Sequence, residues 1–459
     1  MDGPTTRVDR RTLLRSLSAG GAATLAGCTD LLTTDGGSKS ETPRIEIESG
    51  RRRDARLVPT LVGFVPGTDV TVTARATDAE DRTWRSRAVV TTDRQGTASL
   101  GSTAPAAGTY ADARSMGLFW SMGLKYRRPP TYFVQDGAEQ TVTLTARVAD
   151  EVVAERTVTR VFAPSGVTHE RVRDEDRGLV GHYFEPSGEG PHPGVVALHG
   201  NGNSPLTNFG RMLAARGFAV LAPKWFGEEA PIPDQLVEIP LSSARAMATW
   251  LQSREAVTDR IGVLGHSKGA EFALLAATRY DVFDGVVAIA PNAFAFMAPG
   301  TVSPGPSWVV DGEPVPTLSR SGSSEIRRKE GRLVIADQIR ADLAAAEQAQ
   351  LDRAAIPAEQ ISGDVLLVGG LDDTIWPMEE MIPRLTARLD SDGFQHRFAS
   401  LVYDEAGHVI TVPHKPTTYH HLGGQLYLGG QPGAAAAAES DAWPRMVRWF
   451  RDALSGSAQ

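Results

Sequence analysis

Five short runs in the second half of the chain are apolar through their middles rather than at every second position: PGVVALHG (193–200), FAVLAPKW (218–225), RIGVLGHS (260–267), GVVAIAPN (285–292) and DVLLVGG (364–370). A strand with water on one face alternates; a strand without alternation is covered on both. The intervening stretches NFGRMLAARG (208–217), SSARAMATWLQSR (242–254) and KGAEFALLAATRY (268–280) carry apolar residues at helical spacing instead. Strands interleaved with helices in this way predict an α/β fold over 164–459, a mainly parallel sheet with helices on both faces. The pattern continues with a helix from about Met378, the run HRFASLVYDEAGH (396–408) and a closing helix AWPRMVRWFRDAL (442–454). Residues from about 293 to 360 interrupt it and read as an insertion, partly helical around RRKEGRLVIADQIRADLAAAEQAQL (327–351).

Residues 44–163 follow a different rule. RIEIES, DVTVTARAT, SRAVVTT, QTVTLTARV and VVAERTVTRVF alternate with period two and are separated by turn residues, which predicts a smaller all-β Ig-like sandwich. Within it, SMGLFWSMGLKYRRPPTYF (115–133) gathers Met116, Phe119, Trp120 and Met122. The cluster reads as core or as an interdomain contact, with the lining of an acyl-binding cleft as the functional alternative. Nothing else in the region points to catalysis.

The first 28 residues read as an address. Arg10 and Arg11 precede a weakly apolar, small-residue run that closes on Leu25, Ala26, Gly27 and Cys28, too short and too interrupted to span a bilayer. Paired arginines before such a run resemble a twin-arginine export signal, and the closing residues resemble the lipobox of exported lipoproteins. Cys28 is then expected to carry lipid and to anchor the protein on the outer face of the cell membrane; a cytoplasmic protein is the alternative. Residues 29–43 read as a flexible tether. Cys28 is the only cysteine, so intrachain disulfides and cysteine-based zinc sites are excluded. The formal net charge of -8 provides no basic face for nucleic acid, and no protein partner is identifiable.

Gly265-His266-Ser267-Lys268-Gly269 falls between an expected strand and an expected helix, the context in which a G-x-S-x-G stretch holds a serine on a sharp turn above the sheet. A serine hydroxyl needs a base to take its proton, and the base needs an acid to orient it. Asp373 in VGGLDDTIWP and His408 in YDEAGHVI each follow a strand, and the order serine, aspartate, histidine is that of the α/β-hydrolases. Asp372 is the rival acid, and His414, His420 and His421 in HKPTTYHH are rival bases that follow no strand end directly. Those histidines have no carboxylate or cysteine at ligand spacing, so no metal is expected. No G-x-x-x-x-G-K loop is present and no cofactor is expected. The backbone N–H groups of Lys268, at the helix start, and of Asn201, in HGNGN, are the candidate donors to a developing oxyanion. His199 is expected to prop its loop and His266 to fill the elbow.

Taken together, SMGLFWSM, GHSKGAEFAL, WVVDGEPVP, GGLDDTIWP, AGHVI and the tail HHLGGQLYLGGQPGAAAAAESDAWPRMVRWF resemble the acyl-CoA thioesterase and bile acid-CoA:amino acid N-acyltransferase family. The resemblance implies a β-sandwich joined to an α/β-hydrolase domain, Ser267, Asp373 and His408 as catalytic triad, and a long-chain acyl-CoA thioester, a small molecule, as substrate. Amino-acid-conjugating members carry cysteine where this chain has Ser267. An oxygen-ester acyl-enzyme is less reactive toward amines, relative to water, than a thioester, so hydrolysis is expected over transfer. Members of known role act inside cells, whereas the N-terminus points to export. An exported carboxylesterase or lipase is therefore the alternative, and an inactive surface binding lipoprotein a second one.

Overall fold

A computed structural model describes residues 42–48, 52–125, 132–135, 137–298, 305–318, 326–391 and 393–455. The expected signal segment 1–28 with Cys28, and the tether up to residue 41, lie outside the described residues.

The N-terminal strands form two sheets. Asp69–Thr77, Thr83–Thr91, Glu139–Val148 and Glu151–Val161 make the body of a six-stranded antiparallel sheet, and Arg44–Glu48, Val58–Val62 and Ala98–Ser99 make a three-stranded one. Their inward residues share a core: Val70, Val72, Ala74, Trp84, Ala88, Val142 and Leu144 from the larger sheet, Ile45 and Leu61 from the smaller. Successive side chains of a strand point to opposite faces, which is why these segments alternate in sequence. Met116, Phe119 and Met122 are buried in the same core.

The second part is built on an eight-stranded sheet in the order Thr168–Asp174, Leu179–Glu185, Ala219–Lys224, His192–Leu198, Val257–His266, Gly285–Ile289, Asp364–Gly370, Phe398–Tyr403. The last six of these run parallel to one another. Alternate residues enter different cores. Val196, Leu198, Val263, Val286 and Leu367 meet helices Ser242–Gln252, Lys268–Ala277 and Met378–Leu389 on one face. On the other, Val195, Ala197, Leu264, Val287 and Val368 meet Thr207–Ala214 and Pro432–Ala453. Both faces are apolar, so the runs show no alternation. The protein has an α/β-hydrolase domain preceded by a β-sandwich.

Two strands of this sheet escape sequence reading. Thr168–Asp174 and Leu179–Glu185 pair antiparallel and bring the chain into the sheet. Thr168–Asp174 buries only Val172, as a charged edge strand does, and leaves no periodicity to detect. The C-terminal helix begins ten residues before the segment AWPRMVRWFRDAL, at Pro432, a first-turn position where the missing N–H costs nothing. In the insertion, the stretch before Ala336 is a short hairpin, and helices occupy Ala336–Ala345 and Gln348–Ala354.

The two parts touch through polar contacts. Asp54 accepts hydrogen bonds from Arg216 Nε at 2.8 Å and Trp443 Nε1 at 2.9 Å. Among the described residues, no helix is long and apolar enough to cross a membrane. Phe450 on the C-terminal helix is fully buried and meets Phe218 edge to face at 6.1 Å. Phe450→Ala should destabilise the fold by about 3–5 kcal/mol, read as a lower urea midpoint at unchanged slope.

Candidate active site

Strand Val257–His266 stops one residue before helix Lys268–Ala277, and the joining residue Ser267 has φ 57° and ψ -120°. A side-chain-bearing residue at such a φ is strained by about 1–3 kcal/mol. Its surroundings over-determine it. Ser267 N–H donates to Ile289 O at 2.8 Å, and the N–H groups of Ala270 and Glu271 donate to Ser267 O at 2.8 and 3.1 Å. The flanking glycines are required by space: a Cβ on Gly265 would lie 2.1 Å from Gly269 O, and one on Gly269 would lie 2.4 Å from the carbonyl oxygens of Leu198 and His199.

The turn presents Ser267 Oγ to His408 Nε2 at 2.9 Å, and His408 Nδ1 lies 2.7 Å from Asp373 Oδ2. All three residues are buried. The other oxygen of Asp373 accepts N–H bonds from Ile375 at 2.7 Å and Trp376 at 3.0 Å, which fixes the carboxylate plane. Asp372 turns elsewhere and accepts from Gly430 N–H at 2.9 Å. The structure thus brings Ser267, His408 and Asp373 together and leaves Asp372 outside. His408 sits on a loop held by its own N–H donating to Leu428 O at 2.9 Å.

Lys268 opens the helix directly after Ser267, so its backbone N–H lies at the helix N-terminus. Asn201 is exposed on the loop after strand His192–Leu198. That loop crosses close above the serine: a Cβ on Gly200 would be 3.2 Å from Ser267 Cβ.

The neighbouring histidines brace rather than react. His199 Nε2 accepts from Trp225 N–H at 3.3 Å, so the ring proton is on Nδ1, which donates to Gly200 O at 2.7 Å. Burial pushes its pKa down to about 4. His266 Nε2 donates to the backbone oxygen of His408 at 3.0 Å, and surrounding protein pushes its pKa down to about 3. The rival bases face other groups: His414 Nδ1 lies 3.5 Å from Ser440 Oγ, His420 Nδ1 3.5 Å from Glu439 and His421 Nε2 3.8 Å from Glu330.

One buried group had no place in the sequence argument. Glu271 is fully buried and accepts from Lys268 Nζ at 2.6 Å, Trp308 Nε1 at 2.6 Å, Phe296 N–H at 3.1 Å and Asn292 Nδ2 at 3.0 Å. It ties the helix that follows Ser267 to the insertion. The signal available was a Lys-Glu pair three residues apart in an otherwise apolar helix.

The chain matches two family models, one described as BAAT / acyl-CoA thioester hydrolase C terminal over residues 244–456 and the other as acyl-CoA thioester hydrolase/BAAT N-terminal region over 59–174. It belongs to that family. By that kinship it is a hydrolase. Acyl-coenzyme A thioesterase 3 of Mus musculus is 28% identical over 408 residues, covering 86% of this chain and 90% of its own. Acyl-coenzyme A thioesterase 1 of Homo sapiens is 28% identical over 407 residues, covering 86% and 92%. The solved structure of Pyrococcus horikoshii acylaminoacyl peptidase covers 84% of this chain and 57% of its own at 13% identity and a TM-score of 0.42, too slight a likeness to add to the family match.

Two outcomes are expected of the bracing groups. Glu271→Gln leaves the buried Lys268 ammonium without its counter-charge and should destabilise by about 3–5 kcal/mol, measured by urea unfolding. His199 has a folded pKa below its unfolded one, so the unfolded state takes up the proton first. Its contribution is intact above about pH 6.5 and declines by about 1.4 kcal/mol per unit as pH falls from there toward the folded value. The difference in urea midpoint between wild type and His199→Asn, compared at pH 7.5 and at about pH 5, should shrink on acidification.

Proposed function

We propose that this protein is a serine acyl hydrolase of the thioesterase type, cleaving a fatty acyl-CoA thioester through an acyl-enzyme. The reading rests on the 2.9 Å approach of Ser267 Oγ to His408 Nε2, with Asp373 at 2.7 Å from the other ring nitrogen. Ser267 Oγ attacks the carbonyl carbon as its proton passes to His408 Nε2, and Asp373 stabilises the imidazolium that forms. The negative oxygen is received by the N–H groups of Lys268 and Asn201. Collapse breaks the carbon–sulfur bond, and the departing thiolate takes the proton from His408. Water then repeats the sequence, giving its proton to His408 and its oxygen to the acyl carbon, and Ser267 recovers its hydrogen as the acid leaves.

The thioester substrate is supported by the family and by relatives named acyl-coenzyme A thioesterases. Hydrolysis rather than transfer to an amine is supported by an oxygen nucleophile at Ser267. Ser267→Ala should lower kcat/KM on acyl-CoA by about 10⁴-fold or more, and Asp373→Asn by about 10³–10⁴-fold. Asp372→Asn should cost less than about tenfold. Equal losses at Asp372 and Asp373 would refute the assignment of the acid.

The N-terminal pattern favours a second reading. Arg10 with Arg11 and the run Leu25-Ala26-Gly27-Cys28 support export and lipid attachment at Cys28, which would make the substrate an extracellular acyl ester. Acyl-CoAs and simple acyl esters assayed side by side separate the two. Turnover confined to simple esters, with protein released from the membrane fraction by Cys28→Ala, would replace the first reading by the second.

A further inference from the structure

Where the sandwich meets the loop that follows His408, two guanidinium groups are sealed from solvent. Arg53 follows the first strand and donates its backbone N–H to Val161 O at 2.7 Å, while Arg160 lies on strand Glu151–Val161. They are 2% and 0% exposed. Arg160 Nη2 donates to the backbone oxygens of Arg53 and, at 2.7 Å, Ala55. That leaves Nε and Nη1 of Arg160, and Nε and Nη2 of Arg53, as buried donors with no acceptor. Aromatic faces flank both: Arg160 Cζ is 5.4 Å from the Phe119 ring and Arg53 Cζ is 5.1 Å from the Phe162 ring.

The nearby carboxylates do not supply what is missing. Asp54 is taken by Arg216 and Trp443. Glu439 Oε1 accepts from Thr411 N–H at 3.0 Å and Thr411 Oγ1 at 2.6 Å, while its Oε2 is buried without a donor and its charge reaches Arg53 only from beyond ion-pair distance. Neither Arg53 nor Arg160 makes an ion pair among the described residues; Arg53 lies in the field of Arg160, His414 in the field of both, and Glu439 and Asp54 offset the two cations only from a distance. Two buried cations with four orphaned donor nitrogens form a site built for an anion.

We propose that a small monovalent anion, chloride in ordinary media, is held by Arg53 and Arg160 at the junction of the sandwich and the loop carrying His414. A halide accepts N–H donors from any direction, which suits guanidinium groups whose remaining neighbours are ring faces and backbone carbonyls. A cavity of about 400 Å³ lined by Arg56, Arg114, Trp120, His414 and Asp441 reaches the same loop. The bound ion would tie the sandwich to a loop six residues beyond His408. This assignment is independent of the reaction proposed above.

Melting temperature of the full chain, titrated with sodium chloride against sodium gluconate at constant ionic strength, tests it. A saturable, chloride-specific rise on the order of 2–4 °C is expected, and Arg53→Met should abolish it. Wild-type crystals soaked in sodium bromide provide a readout that does not depend on the variant folding: an anomalous peak within hydrogen-bond reach of both guanidinium groups is expected. Equal melting in chloride and gluconate overturns the proposal, even if a halide is seen at crystal concentration. So does water at the site in place of bromide.

Discussion

Three backbone segments meet at the elbow with no room for a side chain between them. The carbonyl oxygens of Leu198 and His199 press on Gly269, and Gly269 O presses on Gly265. This contact decides how closely helix Lys268–Ala277 can approach the sheet. It also forces the chain through the positive φ of Ser267, a conformation that persists only because sheet, helix and turn hydrogen bonds all demand it. The direction of the serine hydroxyl follows from backbone packing, before any catalytic partner is considered.

His408 is positioned differently. It lies on no helix or strand; its ring is held by Asp373, and its backbone by its N–H donating to Leu428 O and by His266 donating to its carbonyl. The loop beyond it is pinned to the sandwich: Thr417 N–H donates to Trp120 O at 2.9 Å, Thr418 Oγ1 to Met122 O at 2.8 Å, and the Tyr419 ring lies 5.6 Å from Trp84. The sandwich thus braces the loop that carries the base. The SMGLFWSM segment does this with backbone carbonyls while its side chains Met116, Phe119 and Met122 fill the sandwich core.

Buried polar groups recur at the joints of the molecule. Glu271 with Lys268 locks the insertion to the elbow helix, and Asp54 with Arg216 and Trp443 locks the sandwich to the hydrolase domain. Such groups add little net stability compared with apolar packing, but an alternative docking leaves them unpaired and is penalised heavily. They select one arrangement of parts that hydrophobic contact alone would leave loose.

The fold class and the trio Ser267, Asp373 and His408 were legible in the sequence because each rests on a local pattern: unalternated apolar runs, a G-x-S-x-G between strand and helix, and acidic and histidine residues just past strand ends. Asp372 remained a rival to Asp373 until the turn sent one carboxylate to His408 and the other to Gly430 N–H. Strand Thr168–Asp174 was hidden because an exposed edge carries no hydrophobic period. The role of Glu271, and the meeting of Arg53 with Arg160 across 107 positions of chain, depend on contacts that neighbours in sequence do not constrain. Periodicity records which face of an element is wet. Only the packed structure decides which distant charges share a dry site.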